Sequence, residues 1–256
     1  GDLMEDFDAD PTHPRYDSLL MRHRLENAAK DGMLAGSALI AHGRGEAFDY
    51  LLGEQTTNSA MIATKYALYQ LKNATLPVIS INGNTTALAG TELMKIANII
   101  GCPIEVNIFY RTPKRMEVLL DHLNQIKINH DLDVKILGKT PNTLIPGLEG
   151  PRAKCCKEGI FSSDVILVPL EDGDRCEALV AMGKTVIVVD LNPLSRSSKM
   201  AGITIIDEIS RVAKNMLNLL TSKETITDNL DFDNQKSIQS SLEFINKNLL
   251  KQSSLR

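Results

Sequence analysis

Tryptophan is missing from the 256 residues, and Phe, Trp and Tyr together make up only 4% of them. A platform that stacks single-stranded bases on aromatic rings is therefore poorly supplied, and nucleic acid is not an expected partner. Positive charge is not in excess either, since 28 Lys and Arg stand against 32 Asp and Glu for a formal −4. No net basic field draws the molecule to phosphate polymers or anionic membranes, although a local basic pocket fits within that balance. No apolar run approaches the ~18–20 residues of a membrane helix, and no signal-type segment follows the acidic start at Asp2 to Asp10. No membrane role and a cytoplasmic location are the expectations; Gly1 to Leu3, ahead of the only early methionine, read as an expression scar. The four cysteines, Cys102, Cys155, Cys156 and Cys176, have no metal or redox spacing and read as reduced and structural. Five scattered histidines form no HxxH or HExxH pattern, so no metal ligand is assigned. GxSxG is absent, and no GxGxxG follows an apolar run, which counts against an ordinary NAD site.

The remaining composition, 43% hydrophobic and 23% charged with 16 Gly and 10 Pro, is that of an ordinary globular protein with enough chain for a substantial core. β-Branched runs alternate with helical periodicity, the pattern of a mainly parallel sheet covered on both faces. Strands are expected at Pro77–Asn82, Ile104–Phe109, Asp133–Leu137, Val165–Pro169, Val186–Asp190 and Ile203–Ile206. Helices are expected at Asp17–Asp31, Asn58–Asn73 and Thr91–Ile100, with Gly101 as the stop of the last, and after the Thr112-Pro113 start signal. The predicted fold class is α/β and Rossmann-like, with helices on both faces and a C-terminal helix. Residues 1–221 form its main domain and 222–256 a polar connector and an amphipathic tail. That tail has one apolar stripe, Ile238, Leu242, Ile245 and Leu249, for its own domain or a partner subunit. Asn142 to Gly159, with two prolines, three glycines and no apolar period, reads as a long functional loop.

Ala178-x4-Gly183-Lys184-Thr185 fits a loose phosphate-loop pattern in the wrong order, helix before and strand after, and reads as a helix C-cap turn. His42 to Phe48 sets two glycines around Arg44 and reads either as a cradle for an oxyanion or as a tight turn. Asn82-Gly83-Asn84 sits where the first strong strand ends, and Phe109-Tyr110-Arg111 leaves another strand end with a cation. Asn82, Asn84 and Arg111 are substrate-binding candidates, against a plain turn. Pro169 to Arg175 carries three carboxylates, of which Asp172 or Asp174 suits a helix N-terminus. Asp190, at another strand's carboxyl end, suits ribose hydroxyls, and Arg196 with Ser197 and Ser198 suits phosphate; the alternative is a capped turn.

These segments also resemble the archaeal phosphopantothenate synthetases, or 4-phosphopantoate:beta-alanine ligases. The resemblance runs from His13 to about Arg211 through the strings Leu39–Tyr50, Ile81–Asn84, Asn107–Thr112, Ile145–Glu149, Val168–Arg175 and Asp190–Ser197, and the tail beyond Ser222 carries none of it. It implies a homodimeric ATP-dependent enzyme of coenzyme A biosynthesis that joins 4-phosphopantoate to beta-alanine through an acyl-adenylate, releasing AMP and pyrophosphate. It implies ATP contacts at Arg22, Arg44, Asp190, Leu191, Asn192, Arg196, Ser197, Glu208 and Ile209, with magnesium held mainly by ATP oxygens and water. Family members can carry asparagine where this chain has Glu208, a carboxylate able to accept from the adenine amino group. His42, beside Arg44, is the candidate for deprotonating the amine. A nucleotide-binding regulatory protein without turnover and a nicotinamide-dependent oxidoreductase are the rival classes; AMP formation dependent on beta-alanine separates the ligase from both.

Overall fold

The computed structural model describes residues 7, 9–170, 172–222, 226 and 231–253. Most of the acidic start, with Gly1 to Leu3, and much of the expected polar connector lie outside them. Three helices come first: α1 (Tyr16–Lys30), α2 (Ser37–Leu51) and α3 (Asn58–Asn73). Then β1 (Pro77–Ile81), α4 (Gly83–Ile100), β2 (Ile104–Val106), α5 (Pro113–Asn129) and β3 (Ile136–Leu137) form the first winding. A two-stranded antiparallel ribbon, β4 (Thr143–Leu144) and β5 (Lys154–Cys155), leads into the second. That winding holds β6 (Val165–Pro169), α6 (Gly173–Ala181), β7 (Thr185–Val189), α7 (Arg196–Met200), β8 (Ile203–Ile205) and α8 (Ile209–Thr221), followed by α9 (Asn234–Ser253).

Among the described residues the main sheet is parallel throughout, in the order β3-β2-β1-β6-β7-β8. Side chains alternate across it. Ile79, Ile81, Leu167, Ile187, Val189, Ile203 and Ile205 enter the core under α1, α3, α4, α5 and α8, while Val78, Ile166, Val168, Val186 and Val188 meet α6 and the ribbon. This is the Rossmann-like α/β fold. The chain winds outward in both directions from the β1/β6 pair, which makes the carboxyl ends of those two strands the switch point where such sheets bind ligands.

Three local expectations change. His42 to Phe48 is neither a cradle nor a turn but the middle of α2, so its amides are spent within the helix. Of its glycines, Gly43 faces open space, and a Cβ on Gly45 would lie 3.4 Å from Leu191, within van der Waals contact. Asn82-Gly83-Asn84 begins α4 eight residues earlier than expected, with Asn82 as N-cap accepting from the Thr85 amide at 2.9 Å. Gly83 is required there, because a Cβ would come within 2.9 Å of the Met33 carbonyl. The loop at Asn142–Gly159 is ordered by the ribbon, a 3₁₀ turn at Pro151–Ala153 and a π turn at Lys157–Phe161. Its apolar anchors Ile145, Cys155 and Ile160 are buried but too sparse to show a period.

Other features agree with the sequence. Gly183, at φ 80°, follows α6 as its C-terminal turn, and Lys184 donates to the carbonyls of Phe161 at 2.8 Å and Ser163 at 2.5 Å. Asp172 caps α6 by accepting from the Arg175 amide at 2.9 Å. Of the tail stripe, Ile245 packs on its own chain, where with Phe244 it meets Leu52, Leu191 and Ile206, while Leu249 is exposed. All four cysteines are buried and in no disulfide, and burial pushes Cys102 and Cys155 up to about 12 and Cys156 to about 11, which keeps these three thiols protonated at neutral pH. Among the described residues no helix is long and apolar enough to cross a membrane.

Candidate active site

Two cavities meet at the switch point. The first, about 140 Å³, has apolar walls of Met21, Leu88, Leu170, Leu191 and Ile209 and polar contributions from His42, Glu46, Asp49, Asn84 and Glu208. The second, about 230 Å³, is lined in part by Ser37, Gly83, Phe109, Tyr110, Arg115 and Arg152. Ala41, Asn82 and Asn84 line both, so a ligand in one borders a ligand in the other.

The polar atoms of the first cavity are unusual. His42 Nε2, Asn84 Oδ1 and Glu208 Oε1 are buried with no hydrogen-bond partner among the described residues. Each such group costs about 1–3 kcal/mol, so three converging on one small cavity mark a place for a polar ligand with apolar faces. Glu208 is the N-cap of α8. Its Oε2 accepts from the amides of Ser210 at 2.9 Å and Arg211 at 3.1 Å, which turns Oε1 into the cavity. Burial raises its pKa, against the Ser210 hydrogen bonds that favour the anion. Burial likewise lowers the pKa of His42, despite the opposing charge of Glu46, so the imidazole is neutral at pH 7. Asn84 is held by its amide nitrogen, which donates to the Ala38 carbonyl at 3.0 Å.

Helix α2, which carries His42 and Glu46, buries only Asp49 and is fastened by charge. Glu46 accepts from Arg22 at 2.7 Å and Arg15 at 3.1 Å. Burial opposes its charge, but the Arg22 hydrogen bond and the cations around it hold its pKa below the usual range. At the other end Asp49 pairs with Arg211, which also holds Asp207 at 2.8 Å.

The residues singled out from the sequence are distributed unevenly. His42, Asn82, Asn84, Leu191, Glu208 and Ile209 line the cavities. Arg22 stands behind Glu46. Arg44 is exposed on α2 and lines neither cavity. Asp190 closes its own turn, with Oδ1 accepting from the Asn192 amide at 2.9 Å and Oδ2 from the Ser195 hydroxyl at 2.5 Å, and burial raises its pKa. Asn192 accepts from the Leu194 amide at 2.9 Å. Arg196 pairs with Asp174 and Glu177 on the exposed surface of α6, and Ser197 is buried behind it in α7. Arg111 turns away, donating to the Gly138 carbonyl. The sequence reading passed over Arg115, Arg152, Glu46 and Asp49. Glu46 and Asp49 follow His42 at helical spacing, a signal hidden once the stretch is read as a turn. Among the described residues, no cluster of three His, Cys, Asp or Glu could hold a metal ion.

A family model described as phosphopantothenate/pantothenate synthetase matches residues 59–248. The chain is 49% identical over 208 residues to the 4-phosphopantoate–beta-alanine ligase of Thermococcus kodakarensis, covering 81% of this chain and 78% of that protein. It is 44% identical over 246 residues to the ligase of the same name from Thermococcus onnurineus, covering 94% and 93%. For the Methanosarcina mazei ligase the identity is 43% over 243 residues, covering 93% and 94%.

Proposed function

The chain belongs to the phosphopantothenate/pantothenate synthetase family, and from that premise we propose that it joins 4-phosphopantoate to beta-alanine at the expense of ATP, in coenzyme A biosynthesis. The observation that carries this reading is the trio of partnerless buried atoms in a small apolar-walled cavity at the switch point. Such a cavity suits a purine, with Glu208 Oε1 accepting from the exocyclic amine, and the adjoining cavity leaves room for the acid.

A carboxylate is a poor electrophile. In the proposed sequence the pantoate carboxylate oxygen attacks the α-phosphorus of ATP, the bond to the bridging oxygen breaks and pyrophosphate leaves. The beta-alanine amine then attacks the acyl carbon, loses a proton, and AMP departs with the former carboxylate oxygen. Magnesium, held by the nucleotide's own phosphate oxygens, offsets charge when bound, and no residue of this chain is assigned to it. Arg22, behind Glu46, and Arg196 would supply positive charge to the meeting anions, Arg196 by exchanging its exposed carboxylate partners for phosphate, whereas Arg44 lines neither cavity.

His42 lines the first cavity, and its Nε2 is buried with no hydrogen-bond partner among the described residues. A neutral imidazole there accepts the amine proton. Because burial depresses its pKa, kcat/KM is expected to hold down to pH 6.5 and to fall only below it. His42→Gln should lower kcat by roughly 10²-fold or more and remove that acidic limb; an unchanged pH profile would take His42 out of the reaction. The same shift has a stability sign. Protonation is easier in the unfolded chain, so the His42 contribution is complete above pH 6.5 and is lost as pH falls below it.

The direct test is a coupled assay for AMP. Formation of AMP and pyrophosphate only when ATP, 4-phosphopantoate and beta-alanine are all present supports the ligase. Nucleotide binding without AMP would favour a regulatory protein, and hydride transfer with a nicotinamide an oxidoreductase. We also propose a homodimer, because Leu39, Ile40 and Tyr50 leave an apolar face of α2 exposed; light scattering giving the mass of one chain would exclude it.

A further inference from the structure

We propose that Arg211 is a positioning residue of the first cavity: its guanidinium pins α2 in a fixed place relative to Glu208, whose carboxylate its own backbone amide holds. For the identity of the nucleotide this rests on the ligase reading, whereas the pin is a matter of this chain's own contacts. Helix α2 supplies Ala41, His42, Gly45, Glu46 and Asp49 to the cavity, yet of its 15 residues only Asp49 is buried. Ala38 and Phe48 pack half-buried against core clusters. Apolar burial, the usual means of fixing a helix, is thus in short supply, and polar contacts set where α2 sits.

Those contacts converge on Arg211. Its guanidinium forks onto Asp49, with Nη1 donating to Oδ2 at 3.1 Å and Nη2 to Oδ1, while Nε donates to Asp207 Oδ1 at 2.9 Å. Asp49 and Asp207 are each 1% exposed, and carboxylates so deeply buried depend on the cation between them. Burial works against the charge of Arg211 as well, but its bonds to the two carboxylates outweigh it and hold its pKa above the ordinary value. Asp207 extends the network. Its Oδ2 accepts from the Thr56 hydroxyl at 2.6 Å, and Thr56 Oγ1 accepts from Asn215 Nδ2 at 3.0 Å, so the connection between α2 and α3 is tied to α8 too. The Arg211 amide donates to Glu208 Oε2 at 3.1 Å, one of the bonds that turn Oε1 into the cavity. Arg211 lines neither cavity, so it acts through Asp49 and Glu208 rather than on a ligand.

Replacing the guanidinium should free α2 and little else. In Arg211→Met the amides of α2 should exchange with solvent roughly tenfold faster or more while β6 and β7 keep their protection, and the Kd for ATP should rise by a similar factor. Arg211→Lys, which keeps the charge but cannot fork onto two carboxylates, should fall between. Asp49→Asn is the milder probe, because it leaves Arg211 paired with Asp207, and it too should speed exchange in α2. Adding Asp49→Asn to Arg211→Met removes the stranded buried charge and should recover part of the lost protection, which a loss of packing alone would not allow.

Unchanged exchange of α2 in both Arg211→Met and Asp49→Asn would overturn the assignment. Faster exchange spread evenly over β6 and β7 in Asp49→Asn would do the same, since the pair would then be a general support of the fold. An ATP Kd unaltered by Arg211→Met, although α2 has been freed, would separate α2 from the nucleotide and overturn the positioning role. The exchange readout itself needs neither ATP nor turnover. A loss of protection confined to α2, in a protein that binds no ATP and forms no AMP, leaves Arg211 as the pin of α2 and rejects the ligase reading alone.

Discussion

Replacing Glu105 by leucine is expected to remove about 3–5 kcal/mol of stability, read as a fall in the urea midpoint with little change in slope. Glu105 is 1% exposed in the middle of β2. Its carboxylate accepts from the amides of Cys156 and Ile160, each at 2.7 Å, and any side chain on Gly159 would overlap it. The charge of Arg175, itself fully buried and donating to Ser80 Oγ at 2.8 Å, acts on it across the sheet. Leucine fills the volume but leaves the buried amides of Cys156 and Ile160 without their acceptor, which is the costly case. Glu105→Gln, which keeps one acceptor and the shape, should cost roughly 1–2 kcal/mol.

The pH dependence has a definite sign. Burial raises the Glu105 pKa, only partly offset by the two amides, so the folded state holds this proton more readily than the unfolded chain. Its contribution to stability therefore declines as pH rises from its ordinary value of 4.5 through the folded value, and the leucine variant should lack that component. Activity should suffer too, because the amides held by Glu105 belong to the segment that carries Arg152. A midpoint shift worth less than about 1 kcal/mol would show that Glu105 is not what fixes this segment.

Such long-range anchoring explains why the sheet was legible in the sequence and much of the site was not. Asn58–Asn73 and Val165–Pro169 fold as expected to the residue, since a helical stripe and a continuous apolar run each declare a single local period. The glycines at 43 and 45 point to a turn on propensity alone, each costing a helix about 1 kcal/mol. The helix forms there nonetheless, with Gly45 packed near Leu191, more than a hundred residues away, and Gly43 facing open space. That Arg115 and not Arg111 lines the second cavity depends on the phase of α5, which begins only after Thr112. The charge density at Pro169–Arg175 also needed tertiary partners: Asp172 meets Arg152, Asp174 meets Arg196, and Arg175 goes into the core. Six of the candidates line the cavities because strand ends and helix starts are where this fold gathers polar groups.

With ¹⁸O in the carboxylate of 4-phosphopantoate, one labelled oxygen per turnover should appear in AMP and none in inorganic phosphate. The two routes to an activated acid differ in which phosphorus the carboxylate attacks, and the shape of the site bears on that choice. The first cavity, at about 140 Å³, suits the nucleoside end of ATP but is small for the whole triphosphate. The second opens from it directly at Ala41, Asn82 and Asn84. An acid lying in the second cavity with its carboxylate toward the shared residues Asn82 and Asn84 would face the nucleoside end, where the α-phosphorus is the first electrophile it meets. Attack at the γ-phosphorus would need the triphosphate folded back into the acid's cavity. The one segment that resembles a phosphate loop does not serve that purpose, because Gly183 ends a helix and Lys184 is bound to the carbonyls of Phe161 and Ser163. Attack at the α-phosphorus transfers the labelled oxygen to AMP when the amine displaces it from the acyl carbon. Label in inorganic phosphate, with ADP as co-product, would overturn the adenylate route while leaving the ligase and its two cavities in place.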